Sequence, residues 1–273
     1  MSITLVTAWY NLKAKFDISD YRKWMDNMLL NVRCNIVIYT NRDSYGTVKP
    51  YINLRPGRIH IVIKELEDFS TYPLRDHWIR NHSRNLLLRD RVSWEVNMLW
   101  SEKVNFVYEA VRAGYFHSDW YCWCDIGYFR CGQWDSPLSS LKEWPCPYKV
   151  SDLDTNYIHY GAVCTKDTLT EIAGLIHNKN EVGLPKVGPP PGICTFAGGF
   201  FLIHRDRVDW WRCEYYRKLQ LYFEHGSLVK DDQTILTDLI LSEPAYFKIY
   251  MEQNPRYDNW FMFQRVLMPQ ARL

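Results

Sequence analysis

The sequence predicts a single α/β domain with a mostly parallel central sheet flanked by helices. Three observations predict it. Apolar, β-rich runs of strand length alternate with stretches of helical periodicity through the first half. The length, 273 residues, suits one large α/β domain or two small ones. No linker, internal repeat or low-complexity run divides the chain, so residues 1–273 read as one domain.

The elements follow in order. "SITLVTAWY" is a first strand. "DISDYRKWMDNMLL" places Tyr21, Trp24, Met25, Met28 and Leu29 at helical spacing, with Asp or Ser available as its cap. "CNIVIYTN" is a second strand, stopped by Asn41, Arg42 and Asp43, and "RIHIVIKEL" is a third. Strand, helix, strand at this pace implies right-handed crossovers and parallel pairing. Residues 70–90 are polar, with Arg75, His77, Arg80, His82, Arg84 and Arg89, and read as a surface helix and loop. "SWEVNMLWSEKVNFVYEAVRAG" is the clearest helix. Trp94, Met98, Val104 or Phe106, and Val107 or Val111 trace one apolar side, and Gly114 is a C-terminal stop. "YCWCDIGYFR" then reads as a buried strand. Its one carboxylate, Asp125, stands beside a turn-forming Gly127 at what would be the sheet's C-terminal edge, where open α/β sheets bind ligands.

The second half carries a strand and helix in "DLDTNYIHYGAVCTKDTLTEIAGLIHNKN". A stiff Pro/Gly loop follows in "EVGLPKVGPPPGICT", as a spacer or a binding rim. "FAGGFFLIHRD" is a strand begun by two glycines, and "VDWWRCEYYRKLQLYFEHG" is a long aromatic helix. A helical run in "LVKDDQTILTDLIL" and a tail, "NPRYDNWFMFQ", complete the chain. Residues 1–130 form a nucleotide-binding-like half and 131–273 a half with variable binding elements.

Composition narrows the function. Lys plus Arg number 33 against 31 Asp plus Glu, a net charge of +2, which argues against a non-specific nucleic-acid binder. The 12 Trp, 19 Tyr and 12 Phe suit stacking on sugars or bases as well as filling a core. The N-terminus lacks the pattern of a signal peptide, and no apolar run approaches the roughly 18 residues of a membrane span, so a soluble, intracellular and cytoplasmic protein is expected. The eight cysteines are scattered without a CxxC pair. Cys122 and Cys124 share a strand face, and a zinc site there would need two further ligands, with Cys131 a weak candidate. Buried, reduced thiols fit the same compartment.

Four features carry candidate chemistry. A buried Asp125 must be paired, hydrogen-bonded or on a metal, and is either a satisfied structural residue or the working group of a site. It could hold a divalent cation or a ribose hydroxyl, and Gly127 would let phosphates approach the backbone. Gly198-Gly199 mark either a bulge or close approach by another group. Asp231-Asp232-Gln233 begin a helical run, where one Asp can cap while the other faces a pocket. Lys103 sits either on a solvated helix face or within reach of a diphosphate. The chain has no GxxxxGK[ST], no GxSxG and no HExxH, and no GxGxxG follows the first strand. A carboxylate-pair glycoside hydrolase would leave the nucleotide-type half unexplained.

Trp123-x-Asp125-x-Gly127, Gly198-Gly199 and Asp231-Asp232-Gln233, in that order, resemble glycosyltransferases of the GT-A (Rossmann-like) fold. The HtrL/YibB-like family of bacterial and large-virus putative glycosyltransferases is the nearest resemblance, and it covers most of the chain. It implies a hexosyl- or pentosyltransferase that uses a nucleoside diphosphate sugar, with UDP-sugars favoured, and a hydroxyl of a glycan or glycoconjugate as acceptor. Residues 131–273 then become the acceptor and sugar half. It also implies a divalent cation, often manganese, held on the diphosphate by Asp125. Lys103 takes the place of a basic residue on the phosphates. Thr7, Ala8, Tyr39 and Asn41 border base and ribose. Gly198 and Gly199 floor the sugar subsite next to Gln233, and Asp232 touches the sugar or acts as base, with Asp231 the lesser choice. The sequence departs from the pattern in having one carboxylate where an Asp-x-Asp stands. Its last histidine, His225, precedes Asp231, so the late histidine ligand is missing. The metal site is depleted, the cation weakly held or dispensable, with Asp258 a substitute ligand. Two other readings remain: a non-catalytic carbohydrate-binding protein on the same fold, and a nucleotidyltransferase acting on sugar phosphates, against which the missing triphosphate loop counts.

Overall fold

The computed structural model describes residues 2–133 and 135–269. Seven strands form among these residues: β1 Ile3–Trp9, β2 Asn35–Thr40, β3 Ile59–Ile63, β4 Trp120–Cys124, β5 Ile158–Ala162, β6 Phe196–His204 and β7 Phe247–Met251. The helices are α1 Ile18–Asn31, α2 Arg42–Val48, α3 Pro50–Leu54, α4 Arg75–Arg84, α5 Trp94–Ala113, α6 Pro147–Ser151, α7 Lys166–His177, α8 Val208–Glu224, α9 Asp232–Ser242 and α10 Phe263–Val266. The strands join in one sheet of order β3-β2-β1-β4-β6-β5-β7. Every neighbouring pair is parallel except the two that β6 makes, with β4 and with β5. The mostly parallel α/β sheet read from the sequence is therefore present.

Alternation along the strands builds two core layers. On β1, Leu5 and Trp9 face one layer, while Val6 and Ala8 face the other. On β4, Trp120, Cys122 and Cys124 take the first side, and Tyr121 and Trp123 the second. Helices cover both faces, so these strands read as continuous apolar runs without a polar face. The first layer receives Met25, Met28 and Leu29 of α1, whose start is capped by Asp17 accepting from the Ser19 N–H at 2.8 Å. The second receives α5, α8 and α9. Cys122 and Cys124 share one face as expected, packed in the first layer, where burial pushes both thiols well above their ordinary range.

α5 stops where the sequence says, with Gly114 in the left-handed region at φ 62° and ψ 32°. Its surroundings differ from the amphipathic reading. Residues 101–107 are buried all round, because α4 and α8 pack along the helix while it lies on the sheet. Its polar side chains are satisfied inside. Glu102, with no exposed surface, accepts from the N–H and hydroxyl of both Ser70 and Thr71 and from Asn105 Nδ2. β7 was not legible. It lies at the sheet edge, only Phe247 is buried among its five residues, and Lys248 interrupts its otherwise apolar stretch. Among the described residues no helix is long and apolar enough to cross a membrane.

Candidate functional site

The reversal of β6 positions the site. Because β6 runs against β4, its beginning lies beside the end of β4, with Cys124 opposite Phe200. The Asp125 N–H donates to the Gly199 carbonyl at 2.8 Å, so the carboxylate that follows β4 is fixed over the glycine pair. The N-terminus of α9 brings Asp231 and Asp232 to the same edge, and the middle of α5 brings Lys103. These residues line a cavity of about 490 Å³, within the size range of small-ligand sites.

Lys103 is the centre of the arrangement. Its Nζ lies 3.1 Å from Asp125 Oδ1 and 3.1 Å from Asp232 Oδ2, and it donates to the Gly198 carbonyl at 2.8 Å. One carbonyl and two carboxylates thus surround the ammonium. Burial works against that charge, but Asp125 and Asp232 outweigh it, and the pKa is raised. Lys103 thus belongs neither to a solvated helix face nor to an open phosphate site. Asp125 Oδ1 also accepts from Trp123 Nε1 at 2.7 Å, while the side chain as a whole stays 40% exposed towards the cavity. Asp232 is nearly buried. Burial is the main cause that lifts its pKa to about 6, with Lys103 opposing and the Asp231 and Asp125 carboxylates adding to the rise. Burial also raises Asp231, partly offset by Lys230, and one of its oxygens, Oδ1, has no hydrogen-bond partner among the described residues.

The glycines make room for these carboxylates. A Cβ on Gly198 would stand 2.7 Å from Asp232 Oδ2, and one on Gly199 would stand 3.3 Å from Asp125 Oδ2. Gly127 is bare for another reason: a Cβ there would meet the Trp24 ring at 2.8 Å. Of the residues expected to border a ligand, Ala8, Gly127, Gly198, Gly199 and Gln233 line the cavity with Lys103 and the three aspartates. Asp258 lines it too, its Oδ1 accepting from the Trp260 N–H. Thr7, Tyr39 and Asn41 are not among the lining residues. Thr7 is buried within the sheet, Tyr39 stacks on Phe106 with ring centroids 4.5 Å apart, and the Asn41 side chain caps α2 by accepting from the Ser44 N–H.

The cavity also has walls that sequence reasoning missed. The loop after β1 contributes Tyr10, Asn11, Lys15 and Phe16, with the Lys15 ammonium 4.6 Å from the Trp100 ring centroid. Arg130 packs its guanidinium over Phe16 and Trp24, both at 4.6 Å, and over Phe261 at 5.1 Å. Two lysines, Lys13 and Lys15, between Tyr10 and Phe16 in "YNLKAKF", directly after a strand, were the available signal. Stacking surfaces and cations together suit a planar, anionic ligand.

The donor set does not suit a divalent cation. Such an ion takes about six oxygens at roughly 2.0–2.6 Å. Here Asp125 Oδ1 is already shared by Lys103 and Trp123, and Asp232 Oδ2 is taken by the same ammonium. Among the described residues, no group of three or more His, Cys, Asp or Glu side chains is placed to hold a metal.

No protein-family model and no curated protein matches this chain. Among solved structures it is similar to mouse xyloside xylosyltransferase 1 in its apo form, at 11% identity and a TM-score of 0.46, over 92% of this chain and 85% of that one. It is also similar to the galactosyltransferase LgtC in complex with donor and acceptor sugar analogs, at 15% identity and a TM-score of 0.42, over 98% of this chain and 84% of that one. An active-site mutant of LgtC aligns at 14% identity with a TM-score of 0.46, over the same shares of the two chains. All three are glycosyltransferases.

Proposed function

We propose that this chain transfers a glycosyl unit from a nucleoside diphosphate sugar, with UDP-sugars the first choice, to a hydroxyl of a glycan or glycoconjugate. The observation that carries the reading is the Asp125–Lys103–Asp232 arrangement at the floor of an aromatic cavity on the sheet's C-terminal edge. A nucleoside diphosphate sugar has a stacking base, an anionic diphosphate and a polar sugar, and this cavity offers rings, cations and carboxylates in one space. The site does not distinguish a hexose from a pentose. Finer membership in the HtrL/YibB-like family belongs to this proposal and rests on the quoted motifs.

The chemistry follows from charge. The bond between the anomeric carbon and the diphosphate oxygen breaks, and its electron pair leaves with the diphosphate. The acceptor oxygen forms the new bond to that carbon and gives up its proton. Fixed positive charge beside the leaving group stabilises the transition state. Lys15 and Arg130 at the cavity wall meet the diphosphate, with Lys103 below them. Asp232, with a pKa of about 6, is ionised at neutral pH and close enough to neutrality to accept the acceptor's proton. Asp125, the more exposed carboxylate, faces the sugar and donor side. The resemblance implies manganese on the diphosphate; the donor set does not fit one, and the positive charge comes from the lysines and Arg130 instead.

The test is a panel of UDP- and GDP-sugars, UDP-xylose and UDP-galactose included, followed by melting temperature and by release of nucleoside diphosphate. A donor bound only by the folded state raises the melting point. The reading expects at least one donor to do so and to be turned over, with turnover lost in Asp232→Ala. A protein that binds free glycans but no nucleotide would instead be a carbohydrate-binding module.

A further inference from the structure

We propose that the Lys103 ammonium is the built-in cation of this site, and that Asp125 and Asp232 hold it in place of a divalent metal. The inference rests on the glycosyltransferase reading for its functional meaning, but its geometry stands apart from that reading.

Three observations point the same way. The ammonium is seated as a fixed ion would be: its side chain is 6% exposed, it donates to the Gly198 carbonyl, and it forms ion pairs with one carboxylate oxygen each of Asp125 and Asp232. The Trp123 ring lies under it at 5.8 Å, adding its face to the oxygens. The backbone is shaped around this seat. Gly198 accepts from the ammonium through its carbonyl and, lacking a Cβ, lets Asp232 come within 2.7 Å of where that atom would stand. Any residue other than Gly would push Asp232 away from Lys103. Finally, Asp125 Oδ1 and Asp232 Oδ2 each lie 3.1 Å from the ammonium, so a divalent ion placed between them would sit against a buried positive charge.

Lys103 in this role is a positioning residue. It fixes the two carboxylates at one separation and supplies a permanent positive charge next to the leaving-group side, whatever the supply of free metal. A purely structural lysine would predict no relation to metal binding. This role predicts a specific one, because the seat between two carboxylates should accept a metal once the lysine is removed.

The experiment is a Mn2+ titration of the full chain, read by the electron paramagnetic resonance signal of the free ion and by melting temperature. Wild type, Lys103→Met and Asp125→Asn are compared. Wild type should leave the ion free and melt at the same temperature with and without it. Lys103→Met should bind Mn2+ and be stabilised by it. The proposal is overturned if wild type takes up stoichiometric Mn2+ that Asp125→Asn loses, or if a folded Lys103→Met binds none. If that variant does not fold, the wild-type titration still decides. In parallel, UDP affinity is measured by calorimetry with Mn2+ and with EDTA. Equal affinity within about two-fold is expected, and a loss of about tenfold or more in EDTA contradicts the proposal. UDP that binds under neither condition counts against the transferase reading, while the Mn2+ titration continues to judge Lys103.

Discussion

At Gly198 a methyl group would stand 2.7 Å from Asp232 Oδ2 and 3.0 Å from Oδ1, and Asp232 cannot swing aside without leaving Lys103. Gly198→Ala should therefore lower kcat/KM by about tenfold or more, and stability by about 1–3 kcal/mol, the usual range for overpacking a filled site. Gly199→Ala meets Asp125 at 3.3 Å, and that side chain is 40% exposed and able to give, so its effect should be smaller. Steady-state kinetics and urea denaturation of the two variants check the order. The same residue scale sets a pH dependence. Asp232 has a folded pKa of about 6 against an ordinary 3.8, raised chiefly by burial. The folded state binds its proton more tightly than the unfolded chain, so between those values the stability from this group falls as pH rises. Activity runs the other way, because only the ionised form pairs with Lys103 and accepts a proton. kcat/KM should fall as pH drops below about 6, and the pH dependence of stability in that window should flatten in Asp232→Asn.

At the scale of elements, α5 couples the site to the fold. It carries Lys103 to the sheet edge and, one residue earlier, Glu102 to the segment before α4. Glu102→Ala would orphan the Ser70, Thr71 and Asn105 donors in a fully buried pocket. It should cost roughly 3–5 kcal/mol, in the range for breaking a buried polar cluster. Gly114→Ala should cost about 1–2 kcal/mol, because an L-residue is strained in the left-handed region, and should leave turnover unchanged. The strands of the first half were legible because sheets buried on both faces write continuous apolar runs. The helical periodicity of α1 was legible for the complementary reason, since one side meets the core. α5 was only half legible. Lys103 and Glu102 look like surface residues in a linear sequence, and their burial depends on α8, which arrives about a hundred residues later. The short stretch of β7, interrupted by Lys248 and lying at the sheet edge, stands out less than the longer apolar runs of the central strands.

For the whole molecule, the sheet's topology does what no local motif can. Asp125, Gly198-Gly199 and Asp231-Asp232 were legible as separate weak signals. Their convergence was not, because it depends on β6 running against β4 and on α9 beginning at the same edge. Topology also explains which expected residues fall away. Thr7 and Tyr39 lie inside strands rather than beyond their ends, so the core claims them, while the loop after β1 supplies the wall. With a net charge of +2 the chain has little global field to gather an anionic ligand such as the proposed donor. The measurement that tests the proposed transfer most directly is turnover of Asp125→Ala at saturating nucleoside diphosphate sugar, beside its melting temperature. Asp125→Ala takes one carboxylate from the buried Lys103 ammonium, so some loss of melting temperature is expected and turnover is read well below it. The account predicts a fall in kcat of about a hundredfold or more in the folded variant. A variant that transfers sugar at the wild-type rate would contradict it.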